Sequence, residues 1–266
     1  MTPHDLALNC SLALRHLDPA DRAATAAALG YGALEFWWPF ATQTPSAAQI
    51  NTFVDQVHRA GIPAVLLNFP GGGPAVADRG LLSVPGREAD FLRDAQTTLA
   101  IGRRIGTRFY NPMAGNVAGD RSPGSQAFET ALRNLVRVAP LVEDAKASIV
   151  LEPLSGFPQA ALQSFADARA LVDAARAEGA HNVAVLFDLF HLAVNDDPAL
   201  DGEMPDPHHI GHVQVADAPG RGWPGTGGLP LQDWLGSLRT AGYAGLIGLE
   251  CLGETPRPAA SAFGPE

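Results

Sequence analysis

Glu152, Asp188, Gln214 and Glu250 stand at or near the ends of four short apolar runs: SIVLE (148–152), VAVLFD (183–188), HVQV (212–215) and GLIGLE (245–250). Their separations are 36, 26 and 36 residues, about one strand-plus-helix unit each time. Side chains alternate between the two faces of a strand. If Glu152 points inward, so do Val150 and Ser148, while Leu151 and Ile149 face outward. The same alternation groups Asp188 with Leu186 and Ala184, Gln214 with His212 and Ala216, and Glu250 with Gly248 and Leu246. All four polar groups can then converge on one end of a sheet. Three carboxylates brought together repel and raise one another's pKa. A divalent cation removes that repulsion, and an all-oxygen donor set selects a hard or intermediate ion such as Mg²⁺ or Mn²⁺. The same residues could instead each hydrogen-bond a neighbouring loop, which leaves Gln214 with no chemical task.

Positioning such a set requires strands that all run the same way. Apolar runs that read as strands occur at 6–11, 33–37, 63–68, 108–113, 148–152, 183–188, 210–215 and 245–250. Amphipathic segments at 19–29, 46–60, 87–105, 125–146, 164–178 and 230–241 separate them. Ser164 with Asp167 three residues on is a capping signature for the helix at 164. The stretch between the sixth and seventh strands is short and Pro-rich, and a helix after the eighth is barely visible. Eight such units predict a single (β/α)8 barrel over residues 1–266, with a reduced or irregular C-terminal helix and a loose tail over 253–266. Barrels of this kind carry their active sites at the C-terminal ends of the strands. An open doubly wound sheet is the other possibility, but no G-x-G-x-x-G follows the first strand and no phosphate-loop lysine motif is present.

The totals are those of a chain that can bury a core: 46% hydrophobic and 17% charged residues over 266 positions. The net charge of −10 argues against a general nucleic-acid binder. It is compatible with a small anionic substrate, because one local arginine dominates a pocket. No apolar run reaches the roughly 20 residues of a membrane span. The start, MTPHDLAL, has no signal-peptide character, so a cytoplasmic protein is expected. Cys10 and Cys251 are too few for a disulfide framework and read as reduced packing residues.

The segments LEFWWPF (34–40), SVPGREADF (83–91), VLEPLS (150–155), LFDLFH (186–191), GHVQVAD (211–217), PGRGWPGTGGL (219–229) and GYAGLIGLE (242–250) together resemble the hydroxypyruvate isomerase family. That family lies within the xylose-isomerase-like barrels. The resemblance runs from about residue 5 to 250. It implies metal ligands Glu152, Asp188, Gln214 and Glu250, and Glu152 with Glu250 as the acid–base pair. It also implies that His191 and Arg221 contact a small hydroxy-oxo acid. Related ketose 3-epimerases usually carry His where Gln214 stands. The implied reaction moves a proton between adjacent carbons of hydroxypyruvate and tartronate semialdehyde through an enediolate, and relatives are monomers or dimers.

The match departs from the family pattern at pocket-side loops. Leu67 stands where relatives commonly have His, EPLSGFPQAAL replaces an Asn and an Asp–Pro–Gly turn, and ECLGETPRPAA replaces a Tyr-Lys-Pro or Tyr-Arg-Pro start to a last helix. LLNFPGGG, PMAGNVAG and EPLS look like the related 2-oxo-tetronate isomerases instead. Asn68, Asn111 and Trp37, at strand ends, could touch substrate, as could Asn9; equally, each could satisfy loop groups. Glu35 could orient a pocket group. NFPGGGPAV (68–76) could be a mobile lid or a plain loop. The alternatives are a ketose 3-epimerase, a multi-zinc repair nuclease on the same barrel, and a non-catalytic barrel that binds a sugar acid.

Overall fold

The computed structural model describes residues 2–71, 79–253 and 255–264. Eight parallel strands close into a barrel in sequence order: β1 (Leu6–Asn9), β2 (Ala33–Phe36), β3 (Ala64–Asn68), β4 (Phe109–Asn111), β5 (Ser148–Leu151), β6 (Val183–Asp188), β7 (Ile210–Val215) and β8 (Ile247–Leu249). Seven helices lie outside: α1 (Pro19–Ala28), α2 (Ala47–Ala60), α3 (Glu88–Ile105), α4 (Gln126–Glu143), α5 (Phe165–Ala177), α6 (Leu189–Val194) and α7 (Leu231–Thr240). Each expected strand is present; β6 and β7 match their apolar runs and the other six are shorter. Glu152 and Glu250 stand one residue beyond the ends of β5 and β8, where a side chain can turn into the mouth.

Local chemistry sets the helix ends. Ser46 with Gln49 and Ser164 with Asp167 form capping boxes at α2 and α5. Gly61 and Gly106 end α2 and α3 in the left-handed conformation, φ 74° and 79°. The doubtful helix after the sixth strand is real but short, with six residues, and two 3₁₀ turns complete that crossover. No α-helix follows β8 among the described residues, only a 3₁₀ turn at Ala259–Ser261; Pro256 and Pro258 remove backbone donors there. The tail, expected to be loose, packs in its described part. Ala259 N–H donates to the Leu29 carbonyl, Tyr31 Oη donates to the Arg257 carbonyl, and Ala262 is buried. Among the described residues no helix is long and apolar enough to cross a membrane. The proposed lid falls mostly on residues 72–78, outside the described residues.

The alternation in β5 to β8 sorts the side chains. Leu151, Ile149, Val213 and Val215 join the large core between strands and helices. Val150 and Leu186 pack with Leu66 and Phe109 in a separate cluster, and Ala7, Ala33 and Val65 with Leu246 form another. His212 stacks on Phe109 with ring centroids 5.0 Å apart. Asp188 is the register partner of Gln214, and Gln214 of Gly248. Gly248 is there for a steric reason: a Cβ would collide with the Glu35 carboxylate. Gly248→Ala is therefore expected to cost about 1–3 kcal/mol in urea unfolding, the usual penalty for overpacking. Because the collision is with Glu35, Glu35→Ala should relieve much of that loss when the two changes are combined.

Candidate active site

Three buried carboxylates and one histidine meet at the C-terminal mouth. Glu152, Asp188 and His191 offer ligand atoms that all lie within 4.8 Å of one another. Asp188 ends β6 and caps α6: one carboxylate oxygen accepts from Phe190 N–H at 2.8 Å and from His191 N–H at 3.4 Å. The first turn of α6 then returns His191, three residues on, to the same side. Its Nε2 lies 3.6 Å from Glu152 and 3.8 Å from the second oxygen of Asp188. Nδ1 accepts the Ser155 N–H at 3.0 Å and lies 2.7 Å from Ser155 Oγ. A ring nitrogen that accepts a backbone N–H carries no proton, so the neutral ring presents Nε2–H to the carboxylates. Burial holds the His191 pKa down to about 4 against the pull of Asp188, and the ring is neutral at physiological pH. In this tautomer His191 turns an N–H donor towards Glu152 and Asp188.

Glu250 receives three donations. Trp37 Nε1 reaches one oxygen at 2.8 Å, Arg221 Nη2 reaches the same oxygen at 2.9 Å, and Arg221 Nε reaches the Glu250 carbonyl at 3.1 Å. Arg221 also approaches Asp188 at 3.4 Å. Burial disfavours the Arg221 charge, but Glu250, Asp188 and Glu152 more than offset it and keep the guanidinium charged. Arg221 is held by the loop of residues 217–229. The Asp217 carboxylate sits at the centre of that loop and accepts from the N–H groups of Ala218, Gly225 and Leu229 at 2.8–3.0 Å. A Cβ on Gly227 would strike the Ala218 carbonyl.

Gln214 answers to Glu35. Its Nε2 donates to one Glu35 oxygen at 2.6 Å, and His212 Nε2 lies 2.5 Å from the other. All three side chains are buried. With its amide nitrogen committed to a carboxylate, Gln214 has a fixed orientation, and Oε1 is left buried without a hydrogen-bond partner among the described residues. An orphaned buried carbonyl oxygen beside Asp188 is what a cation site would leave in its absence. The donor set of Glu152, Asp188, Glu250 and this amide oxygen suits a hard divalent ion.

Of the other sequence candidates, Asn111 donates to Glu152 at 2.7 Å and braces it, while its Oδ1 accepts from Met113 N–H. Asn68 is its register partner on β3. Asn9 caps its own loop through Leu12 N–H. Trp38 turns away from Trp37 and donates to the Thr42 carbonyl. Sequence reasoning missed Ser155 and the part of Asp217. The signal for Asp217 was present: a carboxylate at a strand end followed by a Gly-rich loop full of unpaired amides.

Burial raises the Glu152 carboxyl to about 7, helped by Asp188 and opposed by Arg221 and Asn111. Burial also drives Glu250 well above the ordinary range, against Arg221. Both groups bind a proton more tightly folded than unfolded. Their stabilisation is complete below the unfolded value of 4.5 and is lost as pH rises through the folded value. Chelator-treated protein should lose on the order of 3 kcal/mol between about pH 5 and about pH 8 through Glu152 alone. Urea unfolding across that range checks it, with Glu152→Gln expected to flatten the slope and leave the Glu250 contribution.

The profile of the family described as xylose isomerase-like TIM barrel matches residues 23–265. A Streptomyces coelicolor protein provisionally named a hydroxypyruvate isomerase is 36% identical over 248 residues, 91% of this chain and 88% of that protein. The 2-oxo-tetronate isomerase of Cupriavidus necator is 31% identical over 86% of this chain and 85% of its own length. Among solved structures, a family 2 AP endonuclease from Brucella melitensis superposes with a TM-score of 0.82 at 25% identity, over 96% of this chain and 95% of that one.

Proposed function

The chain belongs to the xylose isomerase-like TIM-barrel family, and from that premise we propose that it is an isomerase of small hydroxy-oxo acids, interconverting hydroxypyruvate and tartronate semialdehyde. The observation that carries the reading is the pair of buried carboxyls, Glu152 and Glu250, on either side of the mouth. Burial holds both above the ordinary carboxylate range in the metal-free site, which favours the bound proton that an acid–base group must hold and release. A similarly named relative at 36% identity supports the same class.

The reaction needs a proton removed from C3 of hydroxypyruvate and a proton delivered to C2. The electron pair of the broken C–H bond forms the C2–C3 double bond of an enediolate. The C2 carbonyl pair moves onto O2; protonation of C2, with the hydroxyl proton passing from O3 to O2, then leaves an aldehyde at C3 and a hydroxyl at C2. Glu152 and Glu250 are the two acid–base groups, one taking the proton and the other returning one. Asn111 and Arg221 hold the two carboxyls in place. His191 offers Nε2–H to a substrate oxygen in the gap between Glu152 and Asp188. Trp37 closes one wall against Glu250. Glu152, Asp188, Gln214 and Glu250 would hold a divalent ion, Mg²⁺ or Mn²⁺, which would supply countercharge to the enediolate oxygens.

A second substrate of the same class, a 2-oxo-tetronate one carbon longer, has its own support in the 31% identical relative and in the LLNFPGGG and EPLS segments. Gln214 in place of a histidine weighs against a ketose 3-epimerase. The net charge of −10 weighs against a repair nuclease, which must approach a polyanion.

Proton NMR of hydroxypyruvate in D₂O, with Mg²⁺ or Mn²⁺ and a no-enzyme control, tests the reading. Metal-dependent deuterium uptake and tartronate semialdehyde are expected, and Glu250→Gln should lower turnover by about 10²–10⁴-fold while remaining folded. Wild-type rates from that variant would remove the two-carboxylate scheme.

A further inference from the structure

Arg79 has no part in the chemistry above, yet its backbone is held in an uncommon state. Its φ of 47° lies in the left-handed region, which a non-glycine residue occupies only where its surroundings impose it. The surroundings here are the segment that follows β4. Gly115 N–H donates to the Arg79 carbonyl at 3.1 Å, Gly80 pairs with Ala114 in an isolated bridge, and a Cβ on Gly80 would strike the Met113 carbonyl. These contacts tie residue 79 to the mouth side of the barrel.

From there the side chain crosses to the segment that follows β5. Cζ of Arg79 sits 3.3 Å above the centre of the Phe157 ring. Stacking of this kind uses one face of the guanidinium, and its N–H donors lie in the plane and point away from the ring. Among the described residues, no hydrogen bond or ion pair involves those donors. The group is nonetheless close to the site. Its charge repels Arg221, is favoured by Glu152 and acts on His191. A partly buried cation, fixed by a ring on one face beside the mouth and with no anion bonded to it among the described residues, is a built receptor for one.

Arg221 is the other arginine at the mouth, and it is already engaged. Its Nη2 serves Glu250 and Asp188, and its Nε serves the Glu250 carbonyl. Only Nη1 is left over, so gripping a substrate carboxylate with a two-donor fork would require Arg221 to release groups that the proposed reaction uses.

We propose that Arg79 binds the substrate carboxylate through its in-plane N–H donors, with Phe157 behind it, while Arg221 stays on the carboxyls of the site. The inference rests on the acid-isomerase reading and extends it: Arg79 is the specificity-determining residue that makes the barrel take 2-oxo acids in preference to neutral ketoses. Anchoring at Arg79 also sets which end of the substrate meets Glu152. A flat two-donor fork suits a carboxylate better than an ammonium does, so lysine should replace it poorly.

The test uses the full chain loaded with Mn²⁺ and two probes that differ only at one end: hydroxypyruvate, and dihydroxyacetone, which has CH₂OH where the acid has its carboxylate. Turnover is followed by NMR and hydroxypyruvate binding by calorimetry. Arg79→Gln is expected to raise both KM and Kd for hydroxypyruvate by at least about tenfold, the effect of losing a charge-assisted pair. The KM for dihydroxyacetone, which has no carboxylate to lose, should rise far less than that for hydroxypyruvate, and Arg79→Lys should be intermediate. Phe157→Leu, which removes the stack and keeps the charge, should raise KM less than Arg79→Gln does. The inference is overturned if wild-type protein takes hydroxypyruvate and Arg79→Gln takes it equally well, or if Arg221→Gln alone abolishes the preference for the acid. Wild-type protein that binds neither hydroxypyruvate nor a 2-oxo-tetronate would instead bring down the acid-isomerase reading, and the anchor with it.

Discussion

Four carboxylates, those of Glu35, Glu152, Asp188 and Glu250, are buried in one barrel end, and their mutual repulsion organises everything around them. Carboxylates removed from water need protons, cations or hydrogen bonds, and this fold uses all three. Glu152 and Glu250 are pushed towards their protonated forms. Arg221 spans Glu250 and Asp188, Asn111, Trp37 and Gln214 contribute neutral donors, and His212 Nε2 lies against Glu35. A resident divalent ion would allow the three mouth carboxyls to ionise together. Without such an ion the burial of these groups favours their protonated forms, so one set of residues answers to both protons and cations.

The barrel's contribution is to make that crowding geometric rather than accidental. Parallel strands deliver side chains to a common end, and Glu152 and Glu250 stand one residue past the ends of β5 and β8. Loops do the finer work. The first turn of α6 brings His191 back over Asp188, and Ser155, from the segment after β5, decides which ring nitrogen carries the proton. Asp217 gathers the amides of a glycine-rich loop about one carboxylate and so fixes the base from which Arg221 reaches inward. Removing a loop amide partner would act on Glu250 from a distance.

Much of this was legible in the chain because it depends on local period. Strand alternation separates Val150 and Leu186 from Leu151 and Val213 without reference to any partner, and the structure sorts them the same way. Capping at Ser164 is equally local. The six-residue α6 was hard to see because too few residues carry its period, and the tail packs through contacts to Leu29 and Tyr31 that its Pro- and Ala-rich composition does not announce. The network inside the site was least legible. Gln214 and Glu35 are 179 residues apart, and Trp37 and Glu250 are 213 apart. Which atom of an amide or imidazole faces the mouth follows from such pairs, and no pattern along the chain encodes it. Arg79 is the extreme case: its orientation comes from a backbone tie to β4's loop and a ring on β5's.

The tie between Gln214 and Glu35 makes position 214 a polarity filter. Glu35 consumes one donor from whatever side chain stands there, and the side facing the mouth must then be an acceptor. A planar group with a donor at one edge and a lone pair at the other satisfies both demands at once, which describes a neutral imidazole as well as a carboxamide. Glutamine and histidine are therefore interchangeable in sign at this position, although they differ in reach and in affinity for softer ions. A second carboxylate there would face Glu35 with no donor, and an aliphatic residue would leave Glu35 short of one. Position 214 therefore admits a narrow alphabet, set by a carboxylate from β2 that is 179 residues away in the chain and 2.6 Å away in the fold.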